Sequence, residues 1–250
     1  SGPDDAPVVM LGHSLGSSLS MWDPQVTALE GAGYRVLRYD ARGHGGTQVT
    51  TGPYSLEQFG HDAVGLMDAL GIDRVHWVGL SMGGMIGQEL ALAHAQRLRS
   101  LVLADTMAVL PGGADAVWSE RIATAREQGM EALVGATLQR WFTPAALAED
   151  SPGVRLIRQY FLATPAEGYI GASEAITRLN YRDRLHRIDR PTLIMVGEQD
   201  PGTPVAVAED LHRRIPGSQL VVIPAASHLS NVEQAEVFNR HLLAFLDART

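Results

Sequence analysis

The amino-acid sequence predicts an α/β protein with a mostly parallel, twisted sheet, helices on both faces and one helical insertion. Short apolar runs alternate with longer stretches of helical periodicity along most of the 250 residues. The apolar runs are nearly continuous in Val, Leu, Ile and Met, as expected when helices cover both faces of a parallel sheet. The alternation stops once, in a long segment that has helical composition and no strand pattern.

Six strands and five helices follow from this pattern. The predicted strands are 8–12, 35–39, 75–80, 100–104, 192–196 and 220–223. The predicted helices cover about 22–32, 55–70, 83–95, 204–215 and 231–248. Ser55 followed by Gln58 fits a capping box that opens the second helix. Because such sheets commonly begin with an antiparallel hairpin, a first strand at Val8 predicts either a truncated chain or a lost hairpin.

The interruption defines the expected domain organisation. Between Leu110 and Arg190 the sequence is rich in Ala, Arg and Glu and contains no convincing strand. We therefore expect a core formed by residues 1–110 and 190–250, and a helical cap, or lid, formed by residues 111–189.

Composition narrows the function classes. The formal net charge is −8 and there is no basic stretch, which argues against nucleic acid and anionic membranes as partners. The chain contains no cysteine, so thiol catalysis, iron–sulfur clusters and cysteine zinc sites are excluded. All twenty basic residues are arginine, which removes Schiff-base chemistry and a P-loop lysine.

The sequence shows no membrane or export signal. Its longest run without Asp, Glu, Lys or Arg, 215–232, contains two prolines and several polar residues, so it does not predict a membrane span. The polar N-terminus has no signal-peptide core, and we therefore expect a cytoplasmic protein. The oligomeric state stays open, a homo-oligomer included.

A serine lies at a sharp turn between a predicted strand and a predicted helix. Gly79 to Gly83 read G-x-S-x-G, with Ser81 at the centre, directly after the apolar strand 75–80. This strand–turn–helix context is what a nucleophile elbow requires, because the serine must project above the sheet and its neighbours must be small. The alternative is a glycine-rich connection with no chemical role.

Two backbone amides are candidates for an oxyanion hole. The helix after Ser81 directs its first amides toward the serine, which makes Met82 the first donor. The loop after the first strand should supply the second, and the Leu15 amide is the candidate there. His13, in the same loop, is expected either to orient the loop or to line the substrate pocket.

Nine histidines compete for the role of general base. His228 follows the last strand and precedes the terminal helix, so it lies at the sheet edge where catalytic loops meet. His44 also follows a strand, but its glycine-rich turn favours structural contacts. Four others fall within predicted helices and are expected to be surface or packed residues: His61, His94, His212 and His241.

Two aspartates compete to orient that histidine. Asp200 and Asp105 each follow a predicted strand, and the chain order serine, acid, histidine fits both. We favour Asp200, by analogy with the commoner placement in sheets of this kind. Glu198 is a third candidate.

Segments along nearly the whole chain resemble the α/β-hydrolase superfamily, and more narrowly the 3-oxoadipate enol-lactonases. In the core these segments are 14–16, 21–25, 37–45, 52–55, 79–88 and 226–233, and in the insertion they are 140–144 and 163–169. The resemblance implies an α/β-hydrolase fold, a triad of Ser81, Asp200 and His228, and a helical lid over the pocket. Two positions depart from the enol-lactonase pattern: His13 replaces an expected asparagine, and 177–181 lack an expected acidic stretch.

The resemblance also implies a reaction and a substrate. The expected activity is opening of 3-oxoadipate enol-lactone through an acyl-enzyme, in aromatic-compound catabolism, with no metal and no organic cofactor. The substrate carboxylate should pair with a cap arginine. The candidates are Arg126, Arg140, Arg155, Arg158 and Arg178. Trp141 is expected to line the pocket or to pack the cap on the core.

Three other functions remain open at this point. The first is a broader carboxylesterase or lactonase with the same triad. The second is a cofactor-free perhydrolase or haloperoxidase that uses the same serine. The third, from a different class, is a binding protein that senses a small molecule without turning it over.

Overall fold

The computed structural model describes residues 1–248 and contains a six-stranded, fully parallel sheet. The strands lie in the order β2-β1-β3-β4-β5-β6. Their bounds are β1 Val8–Gly12, β2 Arg35–Arg38, β3 Val75–Leu80, β4 Leu98–Ala104, β5 Thr192–Gly197 and β6 Gln219–Ile223. The predicted fold class is confirmed.

Eleven α-helices are present in the described residues. They are α1 Asp23–Gly31, α2 Leu56–Ala69, α3 Met82–Ala93, α4 Ala114–Gln128, α5 Glu131–Trp141, α6 Pro144–Glu149, α7 Pro152–Ala163, α8 Ala166–Thr177, α9 Val205–Arg214, α10 Ser230–Glu233 and α11 Ala235–Asp247. The predicted capping residue acts as expected, because Ser55 Oγ accepts a hydrogen bond from the Gln58 amide at 3.1 Å. The predicted terminal helix is divided in two at Gln234, whose backbone dihedral angles are not helical (φ −127°, ψ 53°).

The five helices α4 to α8 lie between β4 and β5, within the predicted insertion. Their burial differs sharply. Eight of the twelve residues of α8 are buried, whereas Ala125 is the one buried residue of α4. The insertion is joined at its base, where the Tyr181 amide donates to the Ala108 carbonyl at 2.7 Å.

The sheet brings the candidate residues to one edge. Every residue of β1, β3 and β5 is buried, so the centre of the sheet is a rigid platform. The strand order reverses between β1 and β3, and the loops after these two strands diverge to leave a crevice at their carboxyl ends. Ser81 follows β3 at this position. Among residues 1–248, no helix is both long and apolar enough to cross a membrane.

Candidate active site

Ser81 occupies a strained turn between β3 and α3. Its backbone lies in the left-handed half of dihedral space (φ 55°, ψ −113°), which is costly for a residue with a side chain. Two glycines make the turn sterically allowed. A Cβ on Gly79 would lie 2.1 Å from the Gly83 carbonyl oxygen, and one on Gly83 would lie 2.0 Å from the Gly12 carbonyl oxygen. The turn is anchored to the sheet because the Ser81 amide donates to the Ala104 carbonyl at 2.9 Å.

The structure brings Ser81, His228 and Asp200 into one hydrogen-bonded chain. The distance from Ser81 Oγ to His228 Nε2 is 2.9 Å, and that from His228 Nδ1 to Asp200 Oδ2 is 2.7 Å. His228 and Asp200 are buried, with 8% and 3% of their surface exposed. This arrangement allows His228 Nε2 to take the hydroxyl proton while Asp200 fixes the orientation of the ring.

The electrostatics of the pair favour a stable ion pair once the histidine is protonated. Burial by itself lowers the pKa of His228, but the charge of Asp200 and its hydrogen bond outweigh burial and raise that pKa above its ordinary value. Burial likewise works against ionisation of Asp200, yet its contacts with His228 and Thr203 hold the pKa of Asp200 below its ordinary value. Asp200 therefore stays a carboxylate at neutral pH and stabilises the imidazolium that forms during reaction.

Asp200 is held in place by its own turn. Its Oδ1 accepts hydrogen bonds from the amides of Gly202 at 2.8 Å and Thr203 at 3.0 Å, and its Oδ2 accepts from the Thr203 hydroxyl. These donors leave Oδ2 facing the His228 ring, which restricts the carboxylate to one useful orientation.

The two other acid candidates have different partners. Asp105 is fully buried, and its carboxyl group accepts hydrogen bonds from the Gly197 amide at 2.7 Å and from the Ser230 hydroxyl. Burial, and then the charge of Asp200, raise the pKa of Asp105 to about 8. Glu198 accepts from the Ala225 amide at 3.2 Å in an exposed position. Asp200 is therefore the acid that is hydrogen-bonded to His228, whereas Asp105 and Glu198 have other partners.

The loop after β1 is supported by two buried histidines. His44 Nε2 accepts from the Gly16 amide at 3.0 Å, and His13 Nε2 accepts from the Ala41 amide at 2.9 Å. Burial lowers the pKa of His13, and burial together with the nearby His13 ring lowers that of His44 to about 3. Both rings are therefore neutral at pH 7, which is what their acceptor roles require.

This support corrects one prediction. We expected His13 as a candidate lining residue of the substrate pocket, but its ring is 1% exposed and does not line the cavity. The reason is that both of its nitrogens are engaged by backbone groups, Nδ1 by the Ser14 carbonyl at 2.8 Å and Nε2 by the Ala41 amide. Its part is to shape the loop.

The same contacts single out two backbone amides near Ser81. The Gly16 amide is taken by His44, and the Gly83 amide donates to the His13 carbonyl at 3.1 Å. The amides of Leu15 and Met82 have no hydrogen-bond partner among the described residues. Free donors beside a nucleophile are what an oxyanion hole requires, so these two amides remain the candidates.

Ser81 and His228 open into a cavity of about 420 Å³ between the core and the insertion. On α4 the lining residues recur at helical spacing, so one face of that helix forms a wall: Ala114, Val117, Trp118 and Arg121. On α5 they are Thr137, Arg140 and Trp141, so the predicted pocket residues Trp141 and Arg140 both line the cavity. The core contributes Leu15, Met85 and Met107 in addition to the reacting side chains. No group of three or more His, Asp or Glu side chains in residues 1–248 has the geometry of a metal site.

The segment that carries His228 is attached to the insertion on both sides. The Leu229 amide donates to the Trp141 carbonyl at 3.1 Å, and the Ser227 hydroxyl donates to the Arg140 carbonyl at 3.0 Å. Glu233 adds a bridge, since its carboxylate accepts from the Ser227 amide at 2.8 Å and from the Thr143 amide at 3.0 Å. The position of the candidate base therefore depends on the end of α5.

The structure distinguishes among the five arginines that the sequence offered as partners for a substrate carboxylate. Arg140 lines the cavity, whereas Arg155 pairs with Asp150 on the surface and Arg126 lies 4.0 Å from Glu174. Arg158 and Arg178 are exposed and do not line this cavity. Sequence reasoning missed Arg121, which does line it. Its spacing from Ala114, Val117 and Trp118 was the available signal.

Comparison with known proteins agrees with this geometry. Residues 7–235 match the model of a family described as the alpha/beta hydrolase fold. The chain is 39% identical over 246 residues to 3-oxoadipate enol-lactonase 2 of Acinetobacter baylyi, with 98% of this chain and 90% of that protein covered. It is 32% identical to the RutD protein of Variovorax paradoxus, whose name assigns it to carbamate hydrolysis, over 98% of this chain and 93% of that one.

A solved structure shows the same likeness in three dimensions. The enol-lactonase from Burkholderia xenovorans LB400 is 40% identical to this chain and superposes with a TM-score of 0.95, covering 99% of this chain and 94% of that one. The resemblance to enol-lactonases stated from sequence is thereby confirmed, and so is the hydrolase fold. The chain belongs to the α/β-hydrolase family and is a hydrolase.

Proposed function

We propose that this hydrolase acts on carboxylic esters through Ser81, and that its substrate is an enol-lactone, 3-oxoadipate enol-lactone, which it opens to 3-oxoadipate in aromatic-compound catabolism. The observation that carries the proposal is the chain of hydrogen bonds from Ser81 through His228 to Asp200 at the mouth of the cavity. The 39% identity to an enol-lactonase over nearly the whole chain supports the choice of substrate.

The first half of the reaction forms an acyl-enzyme. Ser81 Oγ attacks the lactone carbonyl carbon as His228 Nε2 takes the hydroxyl proton, and Asp200 stabilises the resulting imidazolium. The amides of Leu15 and Met82 hold the negative oxygen of the tetrahedral intermediate. One such donor is typically worth about 10² to 10³ in rate.

An enol-lactone suits this machinery. When the intermediate collapses, the ring C–O bond breaks and the leaving oxygen departs as an enolate, which is a better leaving group than a simple alkoxide. It therefore needs little acid assistance in the transition state, and the proton held by His228 Nε2 then passes to the enolate, which gives the enol and leaves His228 neutral again. The enol then tautomerises to a ketone, and this removes the nucleophile that would close the ring again.

The second half returns the enzyme to its starting state. Water attacks the acyl carbonyl carbon, its proton passes to His228 Nε2, and the bond to Ser81 Oγ breaks. The serine oxygen regains its proton from His228, and the product leaves as a carboxylate. In this proposal the helices α4 to α8 act as the lid that shapes the pocket, and the reaction uses no cofactor.

A substrate panel tests the proposal. We expect kcat/KM for 3-oxoadipate enol-lactone to exceed that for 4-nitrophenyl acetate by about a hundredfold or more, because a matched site discriminates by its polar contacts. The variant Ser81→Ala should lose about 10⁴-fold or more in kcat on both compounds while keeping its melting temperature.

The other outcomes distinguish the alternatives. Comparable turnover of the two compounds would indicate a general carboxylesterase. Peroxide-dependent turnover in acetate would indicate a perhydrolase. Binding of the enol-lactone without turnover, in the wild-type protein, would indicate a sensor and contradict the proposal.

A further inference from the structure

Arg121, on α4, is one of the residues that line the cavity. It lies one helical turn beyond Trp118 and two turns beyond Ala114, so all three are on the face that forms the cavity wall. The guanidinium carbon is 4.8 Å from the centroid of the Trp118 ring. Stacking of this kind restricts the side chain and leaves the planar edge of the guanidinium available to a ligand.

The hydrogen-bonding capacity of Arg121 is unused. Its Nε is buried and has no partner among the described residues, and no carboxylate of those residues lies within 4.0 Å of it. Other arginines of the chain behave differently. Arg42 binds Asp62 through two nitrogens at 2.6 and 2.8 Å, and Arg182 binds Asp210 at 2.7 and 3.1 Å. The terminal guanidinium nitrogens of Arg121 likewise make no hydrogen bond within the described residues, so they are left for a ligand that enters the cavity.

The charge of the cavity is opposite to that of the whole protein. The chain carries a formal net charge of −8, yet the lining contains two arginines, Arg121 and Arg140, and no aspartate or glutamate among the described residues. Arg140 uses one nitrogen on the Thr137 hydroxyl at 3.2 Å. The remaining lining is largely apolar, so each guanidinium interacts strongly with any anion that enters.

We propose that Arg121 of α4, together with Arg140 of α5 in the same cavity, binds a carboxylate of the substrate and thereby selects lactones and esters whose acyl part is anionic. This inference rests on the proposed function, which it deepens by assigning the recognition of charge to a residue on the lid. The geometry suits a bidentate pair, in which two guanidinium N–H groups bind the two carboxylate oxygens.

The test compares two substrates that differ in charge and by one methyl group. One is the mono-4-nitrophenyl ester of glutaric acid, which has a free carboxylate, and the other is the methyl ester of that same compound. In Arg121→Gln we expect KM for the anionic substrate to rise about tenfold to a hundredfold, with kcat changed less than about threefold. The neutral substrate should respond less than about threefold, and Arg121→Lys should recover part of the loss because it keeps the charge but not the fork.

Arg184→Gln is the matched control. Arg184 lies 4.9 Å from the centroid of the Tyr181 ring, so the control loses the same charge and a similar stacking contact outside the catalytic cavity. Arg184→Gln should change KM for neither the anionic nor the neutral substrate. An equal loss on both substrates in Arg121→Gln, or no loss on either, would overturn the assignment even with an active enzyme.

A binding measurement keeps the proposal testable without turnover. Calorimetry with glutarate as the probe should show about tenfold or greater weakening in Arg121→Gln and none in Arg184→Gln. If wild-type protein binds glutarate in this way but hydrolyses none of the esters, the proposed function fails and the anion site stands. If glutarate binds wild type and Arg121→Gln equally, the anion site is wrong.

Discussion

The two walls of the cavity are built in opposite ways. On the core side, Ser81 lies in a turn where neither flanking glycine has room for a single added carbon. On the lid side, Ala125 is the one buried residue of α4, and Val117, which lines the cavity, is 55% exposed. Gly112 and Gly113, just before α4, have no heavy atom within 4 Å of where a Cβ would lie.

This difference assigns separate tasks to the two walls. Close packing on the core side fixes the reacting atoms to within a fraction of an ångström, which nucleophilic catalysis requires. We expect the more exposed wall formed by the insertion to tolerate changes of side chain, so that the selection of substrates can vary there without disturbing the chemistry. The predictions below challenge this division, from the largest expected effect to the smallest.

The largest effect should come from the hydrogen-bonded chain on the core side. Asp200→Asn removes the negative charge that raises the pKa of His228 and favours the wrong tautomer of the ring, so kcat should fall by about 10⁴-fold. Steady-state kinetics with a chromogenic ester measures this. A fall of less than about tenfold would contradict the role given to Asp200.

A single methyl group on the core side should be costly. Gly83→Ala places a Cβ 2.0 Å from the Gly12 carbonyl oxygen, and we expect about 3 kcal/mol or more of lost unfolding free energy. Gly135→Ala in α5 is the control, because nothing lies within 4 Å of its Cβ position. It should gain about 0.5 to 1 kcal/mol from helix propensity. Urea denaturation of both variants measures the difference, and equal effects would disprove the contrast between the walls.

The junction between the walls should give an intermediate effect. Glu233→Ala leaves the Ser227 and Thr143 amides without their acceptor, so unfolding free energy should fall by about 1 to 3 kcal/mol. A lowered kcat should accompany it, because Ser227 precedes His228. Glu236→Ala, at an exposed position of α11, should alter neither quantity by as much. An unchanged kcat in Glu233→Ala would mean that the contact with the lid does not position the base.

The smallest effect on activity is expected at Asp105, with a clear signature in pH. Asp105→Asn should change kcat by less than about tenfold, since an amide can keep both the Gly197 and the Ser230 contacts. In the wild-type protein the pKa of Asp105 is about 8, against an ordinary value near 4 in an unfolded chain. The native state thus holds a proton that the unfolded state has lost, and wild-type stability falls as pH rises from about 4 to about 8.

The variant lacks this titration. The unfolding free energy of Asp105→Asn minus that of the wild type should therefore increase as pH rises across the same interval. Denaturation at several pH values measures the trend. A constant difference would show that Asp105 is ionised in the native protein.

Much of the fold was predictable because buried parallel strands leave an unmistakable apolar signature. The strand ends were harder. β4 begins at Leu98, two residues before the predicted start, since the exposed Arg99 interrupts the apolar run. β6 begins one residue early for a similar reason, because Gln219 is an exposed residue on the edge strand.

The candidate site was predictable where local sequence determines geometry. The glycines around Ser81 specify a turn on their own. The choice between Asp105 and Asp200 depended on strand order, since β5 lies beside β6 and brings the loop of Asp200 next to that of His228. Arg121 was missed because α4 has a single fully buried residue, Ala125, so no continuous apolar stripe in the sequence marks the face that lines the cavity.

The hydrogen bonds that Ser227 and Leu229, on either side of His228, make to α5 affect how new activities can arise in proteins of this architecture. The carbonyls at the C-terminal end of α5 accept hydrogen bonds from the Leu229 amide and the Ser227 hydroxyl, so a foreign insertion grafted onto this core has to reproduce the carbonyl positions of Arg140 and Trp141. Exchanging the insertion between proteins without preserving these hydrogen bonds should give folded chimeras in which the His228 imidazole is misplaced. Point substitutions along α4 leave these hydrogen bonds intact, and they are the more accessible route to altered substrate preference.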